Sequence, residues 1–155
     1  MNETTQKAFQ DFYPDDTSYC YGCGRLNNDG LHIQSRWDGE ESLCVFTPRH
    51  YHIALPGYVY GGLLASLIDC HGTGTAAAAV YRAEGREMHT DPPLRFVTAS
   101  LKVDYLKPTP LGVPLHVRGK VKEIKGKKVV VEITLSADNQ ICVRGEVVAV
   151  RIPGQ

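Results

Sequence analysis

The strongest constraint on this chain is that it offers one long helix and a run of strands. Between Tyr58 and about Val80, Leu63, Leu64, Leu67 and Ile68 fall at the i, i+1, i+4, i+5 spacing of a buried helical stripe, which runs on through the alanines 76–79. Gly72 and Gly74 lower helix propensity there but permit close packing. Downstream the apolar period drops to two. It runs through Val113, Leu115, Val117 and Val121, then Val129, Val131, Ile133 and Leu135, then Ile141, Val143, Val147 and Ala149. Strands with one face on a core and one wetter face read this way. A further strand is expected over 96–106, with turns at Lys125-Gly126 and Asp138-Asn139. Ahead of the helix, 31–37 and 42–47 read as a hairpin around Asp38-Gly39. The order implies an α+β fold in which an antiparallel sheet wraps around one central helix. The other sheet face and the sheet edge must then meet solvent or another subunit.

The remaining segments are punctuated by Gly and Pro. Residues 1–18 read as an N-terminal extension, with a short amphipathic helix over 3–12 ending before Pro14. Residues 19–155 read as a single domain, which suits a chain of 155 residues. Within it, 19–30 is a loop rich in Gly, Asn and Cys, and 81–94 is a polar insert ending in Pro92-Pro93.

Charge and cysteine usage exclude several functions. Lys plus Arg (17) equals Asp plus Glu (17), so the basic excess of a nucleic-acid binder is missing. Five cysteines, an odd and scattered set, argue against a disulfide framework. The first residues lack the basic and apolar regions of a signal peptide, and the strongly apolar stretch at 63–68 is too short to span a bilayer. The expectation is a cytoplasmic protein with no membrane or nucleic-acid partner.

The chemistry concentrates in residues 56–69. Gly61 and Gly62 sit where the helix begins, so a ligand can approach the free N–H groups of its first turn. Those donors and the helix dipole favour a developing oxyanion. Asp69 lies about two turns on, beside the apolar stripe. A partly desolvated carboxyl there suits a general base. The plainer alternative is a tight turn and a solvated acid, since charged side chains are mostly exposed.

The segment Tyr60-Gly61-Gly62 with Asp69 resembles the hotdog-fold acyl-CoA thioesterases of the phenylacetate-pathway type, whose helix opens with His-Gly-Gly and carries an acid nine residues after the His. The likeness extends over 96–108 and the lead-in Cys20-Tyr21-Gly22-Cys23-Gly24 to Leu31, and so covers most of residues 19–150. The resemblance implies a homodimer or dimer of dimers acting on acyl-CoA without a cofactor. It implies that Asp69 activates water or attacks directly, that the Gly61 amide polarises the thioester carbonyl, and that Thr98 holds the water or the acid. Gly61 and Asp69 would come from different chains. Tyr60 would take a supporting role, Gly62 and His52 would contact substrate, and Lys107 would meet a CoA phosphate. Two positions depart from the pattern. Tyr60 replaces the motif's His, and Ala54 replaces an Asn six residues earlier. They keep two alternatives open: a non-catalytic acyl-CoA or fatty-acid binder, and a hydratase or dehydratase built on an acid–His pair.

Other candidates carry less. Cys20 and Cys23 form a Cys-x-x-Cys that could join His32, His50 or His52 at a zinc ion, but no second pair follows at ribbon spacing, so a structural loop and no metal is the expectation. His71 lies two residues after Asp69, on a different helix face, and reads as a core or interface histidine, though it or His52 could share the motif's work. Lys120, Lys122, Lys125, Lys127 and Lys128 read as a solvated basic hairpin.

Overall fold

The alternating segments form one antiparallel sheet in the computed structural model, which describes residues 6–154. The strands are β1 (Arg36–Asp38), β2 (Glu41–Phe46), β3 (Arg95–Tyr105), β4 (Leu115–Lys125), β5 (Lys128–Ala137) and β6 (Gln140–Ile152), and the helix is α1 (Gly61–Ala83). The sheet order is β1-β2-β4-β5-β6-β3, which leaves β3 as an edge. Period-two alternation decides which side α1 covers: Val129, Val131, Ile133 and Leu135 of β5 are all buried. They meet Leu63, Leu64, Leu67 and Ile68 in one core. Glycine lets the helix lie directly on the strands, because a Cβ on Gly72 would collide with Val147 and one on Gly145 would lie 2.5 Å from Ile68. By length and composition α1 could cross a membrane, but its most apolar window is 67% buried inside the fold, as a core helix is.

The helix starts and stops later than its apolar pattern does. Tyr58 and Val59 bridge to Pro110 and Ile53, so the backbone is still extended at Tyr60 and turns helical only at Gly61. At the other end Gly85 takes φ +66°. Gly85 N–H donates to Arg82 O and Arg86 N–H to Tyr81 O, the paired bonds of a Schellman stop. The insert therefore shrinks to 84–94.

The hairpin around Asp38-Gly39 forms, but its first strand is only three residues long. Leu31 and Ile33 instead give their N–H groups to Tyr21 and Gly22 of the preceding loop, and His32 sits at φ 54°. At Asp138-Asn139 both residues have positive φ, 51° and 62°, as a tight hairpin turn requires. Of the helix expected over 3–12, residues 3–5 lie outside the described residues. The rest gives a single 3-10 turn, Phe9–Phe12, opened by Ala8 N–H donating to the Asp11 carboxylate at 2.9 Å. Phe9 meets Trp37 edge-on at 5.2 Å, and the Arg82 guanidinium lies over that indole at 3.8 Å.

A buried polar network ties these pieces together. His71 is fully buried, with Nε2 2.9 Å from Ser42 Oγ and Nδ1 2.8 Å from Ser35 Oγ. Ser42 Oγ lies 2.6 Å from Thr75 Oγ1, and Gln10 accepts the Ser35 N–H at 2.8 Å. Every polar atom of the imidazole is thus satisfied, as burial demands. His71 is a core histidine and has no contact with Asp69's cleft.

Burial holds the His71 imidazole down to about 4, below its ordinary value of 6.5. Above pH 6.5 neither state carries the proton. As pH falls from 6.5 towards 4, the unfolded chain binds it and the folded chain does not, so folding should lose about 3 kcal/mol across that window and level off below it. Urea unfolding at pH 7.5, 5.5 and 4.5 measures the loss, and the step should shrink by that amount in His71→Gln.

Candidate functional site

Helix periodicity places Asp69 and Thr73 on one face of α1, four residues apart. Opposite them lies Thr98 of β3, whose hydroxyl donates to Asp69 Oδ1 at 2.5 Å. Thr98 has one proton, already committed, so the Thr73 hydroxyl at 2.7 Å donates to Thr98 Oγ1. Two hydroxyls in series therefore orient the carboxylate. Its second oxygen makes no hydrogen bond to the described residues.

A β-bulge aims Thr98. Thr98 pairs with Ala149 and Ser100 with Val148, which leaves Ala99 as the extra residue. Cross-strand partners share a face, and Ala149 and Val147 are both fully buried. Thr98 and Leu101 thus both point to the helix side, three residues apart, which a regular strand forbids. Asp69, Thr73 and Thr98 line a largely apolar cleft of about 480 Å³. Its walls come from Phe12 and Tyr13, from Ala77 and Tyr81 of α1, and from Met88 and Leu94 of the insert. The insert is braced by Arg86, which donates to the carbonyls of Thr90 and Pro92.

The start of α1 forms a separate corner. Gly61 and Gly62, as first-turn residues, give no N–H to a backbone carbonyl among the described residues. The Tyr60 ring, 58% exposed, folds into the space where a Gly62 Cβ would be. Tyr105 of β3 donates to Gly61 O at 2.7 Å. His52 is tied here through its carbonyl, which accepts the Tyr60 N–H at 2.9 Å, while its Nδ1 accepts the Arg49 N–H at 2.9 Å. Partial burial, with Arg49 nearby, lowers its pKa. Eight helical residues separate Gly61 from Asp69, about 12 Å at 1.5 Å per residue. The structure thus brings Asp69 and Thr98 together but keeps Tyr60, Gly61, Gly62 and His52 outside their cleft. Lys107, past the end of β3, donates to Gln140 at 2.9 Å. In the basic hairpin Lys122 pairs with Glu132 and Glu146, and Lys128 with Glu123, all on exposed surface.

Sequence reasoning missed Thr73, Tyr105 and the meeting of Cys70 with Cys20 and Cys23. The four-residue step from Asp69 was a usable signal for Thr73. Nothing local points to Tyr105 or to the partners of Cys70. The Cys20, Cys23 and Cys70 sulfurs all lie within 4.8 Å of one another, with Cys20 to Cys70 at 3.9 Å, and no His joins them. Contact among the three sulfurs lowers the pKa of Cys20 and raises those of Cys23 and Cys70. All three line the Asp69 cleft.

The family model of the thioesterase superfamily matches residues 56–144, a span holding the helix and the bulged strand, and with them Gly61, Asp69, Thr73 and Thr98. The chain belongs to the thioesterase superfamily. This superfamily member is 46% identical to a thioesterase superfamily protein from Shewanella loihica PV-4, covering 91% of this chain and 100% of that one with a TM-score of 0.69. It shares its fold with the PaaI protein of the E. coli phenylacetic acid degradation operon, at 18% identity and a TM-score of 0.65 over 81% of this chain and 83% of that one. Its architecture is the hotdog fold. It is also 38% identical over 87 residues to acyl-coenzyme A thioesterase THEM4 of Xenopus laevis (56% of this chain, 33% of that protein). The Rattus norvegicus THEM4 matches at 31% over 98 residues (63% and 36%). The chain spans about a third of the length of these curated relatives.

The loop carrying Cys20 and Cys23 is packed tightly enough to test. A Cβ on Gly22 would strike the Cys70 sulfur, and one on Gly24 would lie 2.5 Å from backbone atoms of Ser18 and Cys20. Gly22→Ala and Gly24→Ala should each cost about 1–3 kcal/mol in urea unfolding, the usual range for overpacking. Gly24→Ala should cost more, because a backbone cannot swing aside as a side chain does.

Proposed function

We propose that the chain hydrolyses acyl-CoA thioesters, with Asp69 activating water or attacking the carbonyl directly. The observation that carries this reading is a carboxylate held by Thr98 and Thr73 in an apolar cleft sized for an acyl group. The free Gly61 amide is suited to the carbonyl oxygen, but at about 12 Å along the helix it cannot reach a carbonyl attacked by the same chain's Asp69. A second copy can supply it. Strand β3 is an 11-residue edge bonded on one side only, and it exposes Val97 (46%), Leu101 (40%) and Tyr105 (53%). Antiparallel pairing of two such edges would cover the free edge and carry one chain's helix start towards the other's Asp69. Lys107, just beyond β3, then lies where a CoA phosphate would pass.

Tyr60 favours a second reading. Its ring packs over Gly62 where the superfamily pattern has a His, which would obstruct the amide corner and leave an acyl-CoA binder. Release of CoA thiol from short, long and aromatic acyl-CoAs separates the two. The native chain should turn over at least one of them, and Asp69→Asn should lower kcat by about 10²–10⁴-fold. Thr98→Val removes a hydrogen bond to a charged group and should cost about 10–100-fold. Activity surviving in Asp69→Asn would place the chemistry elsewhere, and binding without turnover would establish the binder.

Site sharing has its own test. Gly61→Pro deletes the amide at the first helical position, where proline is well tolerated after an extended residue. Asp69→Asn and Gly61→Pro chains should each be nearly inactive. Reassociated together, half the dimers would hold one intact site of two, restoring about a quarter of native activity. No recovery would mean that each chain completes its own site.

A further inference from the structure

We propose that Cys20, Cys23 and Cys70 form a three-sulfur site for a thiophilic divalent cation of the zinc type, open on its fourth side to the Asp69 cleft. The spacing fits such a cation. A tetrahedral ion with metal–sulfur bonds of about 2.3 Å sets sulfurs about 3.8 Å apart. Cys20 and Cys70 already stand at 3.9 Å, and no pair in the cluster exceeds 4.8 Å. A disulfide would use only two of the three and leave the third beside it.

The surrounding loop is built around the sulfurs. Cys20 and Cys23 lie on a turn closed by Gly24 N–H donating to Cys20 O at 2.7 Å. Glycine at 22 is what lets Cys70 approach. Three protein ligands leave one position, and it faces the cleft, where water can take it. Cys44 and Cys142 are buried in the core, away from the cluster. The cation would clasp the loop 19–30 to α1 at the residue next to Asp69 and so fix one wall of the cleft.

The test titrates the full chain, purified under reductant, with Co²⁺. The expected result is one equivalent per chain, with thiolate-to-cobalt charge-transfer absorption and the visible bands of a tetrahedral ion, both displaced by Zn²⁺. The signal should vanish in Cys20→Ser and in Cys70→Ser chains shown by circular dichroism to be folded. If a variant does not fold, the native chain still decides: Zn²⁺ should shield all three cysteines from iodoacetamide, read peptide by peptide by mass. Absence of a charge-transfer band in the fully reduced chain overturns the proposal. So does a band that persists in either variant, or alkylation unaffected by Zn²⁺. None of these readouts involves thioester turnover, so this proposal and the hydrolase reading can fail separately.

Discussion

The contact of α1 with the concave face of the sheet is the constraint on which the rest depends. It works because Gly72 on the helix and Gly145 on β6 have no side chain where the two elements touch. Val147 and Ile133 from the sheet and Ile68 from the helix occupy the space those side chains would take. That seating fixes the rotation of the helix about its axis. Once Leu67 and Ile68 are in the core, Asp69 and Thr73 must emerge towards β3, and His71 must turn the other way, into the Ser35–Ser42 network. One packing decision therefore separates the acid from the histidine. It also removes the acid–His pair that a hydratase reading needed.

The same seating explains how polar groups coexist with a dry core. His71 and Thr75 lie on a helix buried nearly all round, and each is matched by a hydroxyl or carbonyl. Asp69 is treated differently. One of its oxygens is held by hydroxyls in series, and the other is left for whatever enters the cleft. In the proposed hydrolysis the first oxygen would give orientation and the second reactivity. An acid satisfied at both oxygens would have neither the freedom nor the proton affinity to act on water.

Much of this was legible in the sequence because period-two and helical spacing report burial directly. Leu63 to Ile68 and Val129 to Leu135 announced their faces, and the pairs Asp38-Gly39 and Asp138-Asn139 announced their turns. The helix boundaries were not legible, since Tyr58 and Val59 are held extended by bridges to residues distant in sequence. Leu31 to Ser35 failed as strand for a similar reason, because the loop at 21–22 takes their N–H groups. Asp69 and Thr98 could be read from the helix pattern and the family resemblance. The meeting of Cys70 with Cys20 and Cys23 spans 50 residues, and no local period encodes it.

The bulge at Ala99 gives β3 an unusual mutational profile. Ala99 is exposed and carries no contact of the site, so replacing its side chain changes little. Removing the residue is another matter. Without it Ser100 would follow Thr98 directly, every later residue would keep its β6 partner, and Thr98 and Leu101 would stay on the helix side two residues apart, so the ladder would survive and the bulge's local bend and added twist would be lost. Position 99 thus sets the path of β3 and not its register. A gap there would mark a sequence whose β3 runs straighter past Asp69, with the faces of Thr98 and Tyr105 kept and the path of the strand between them changed.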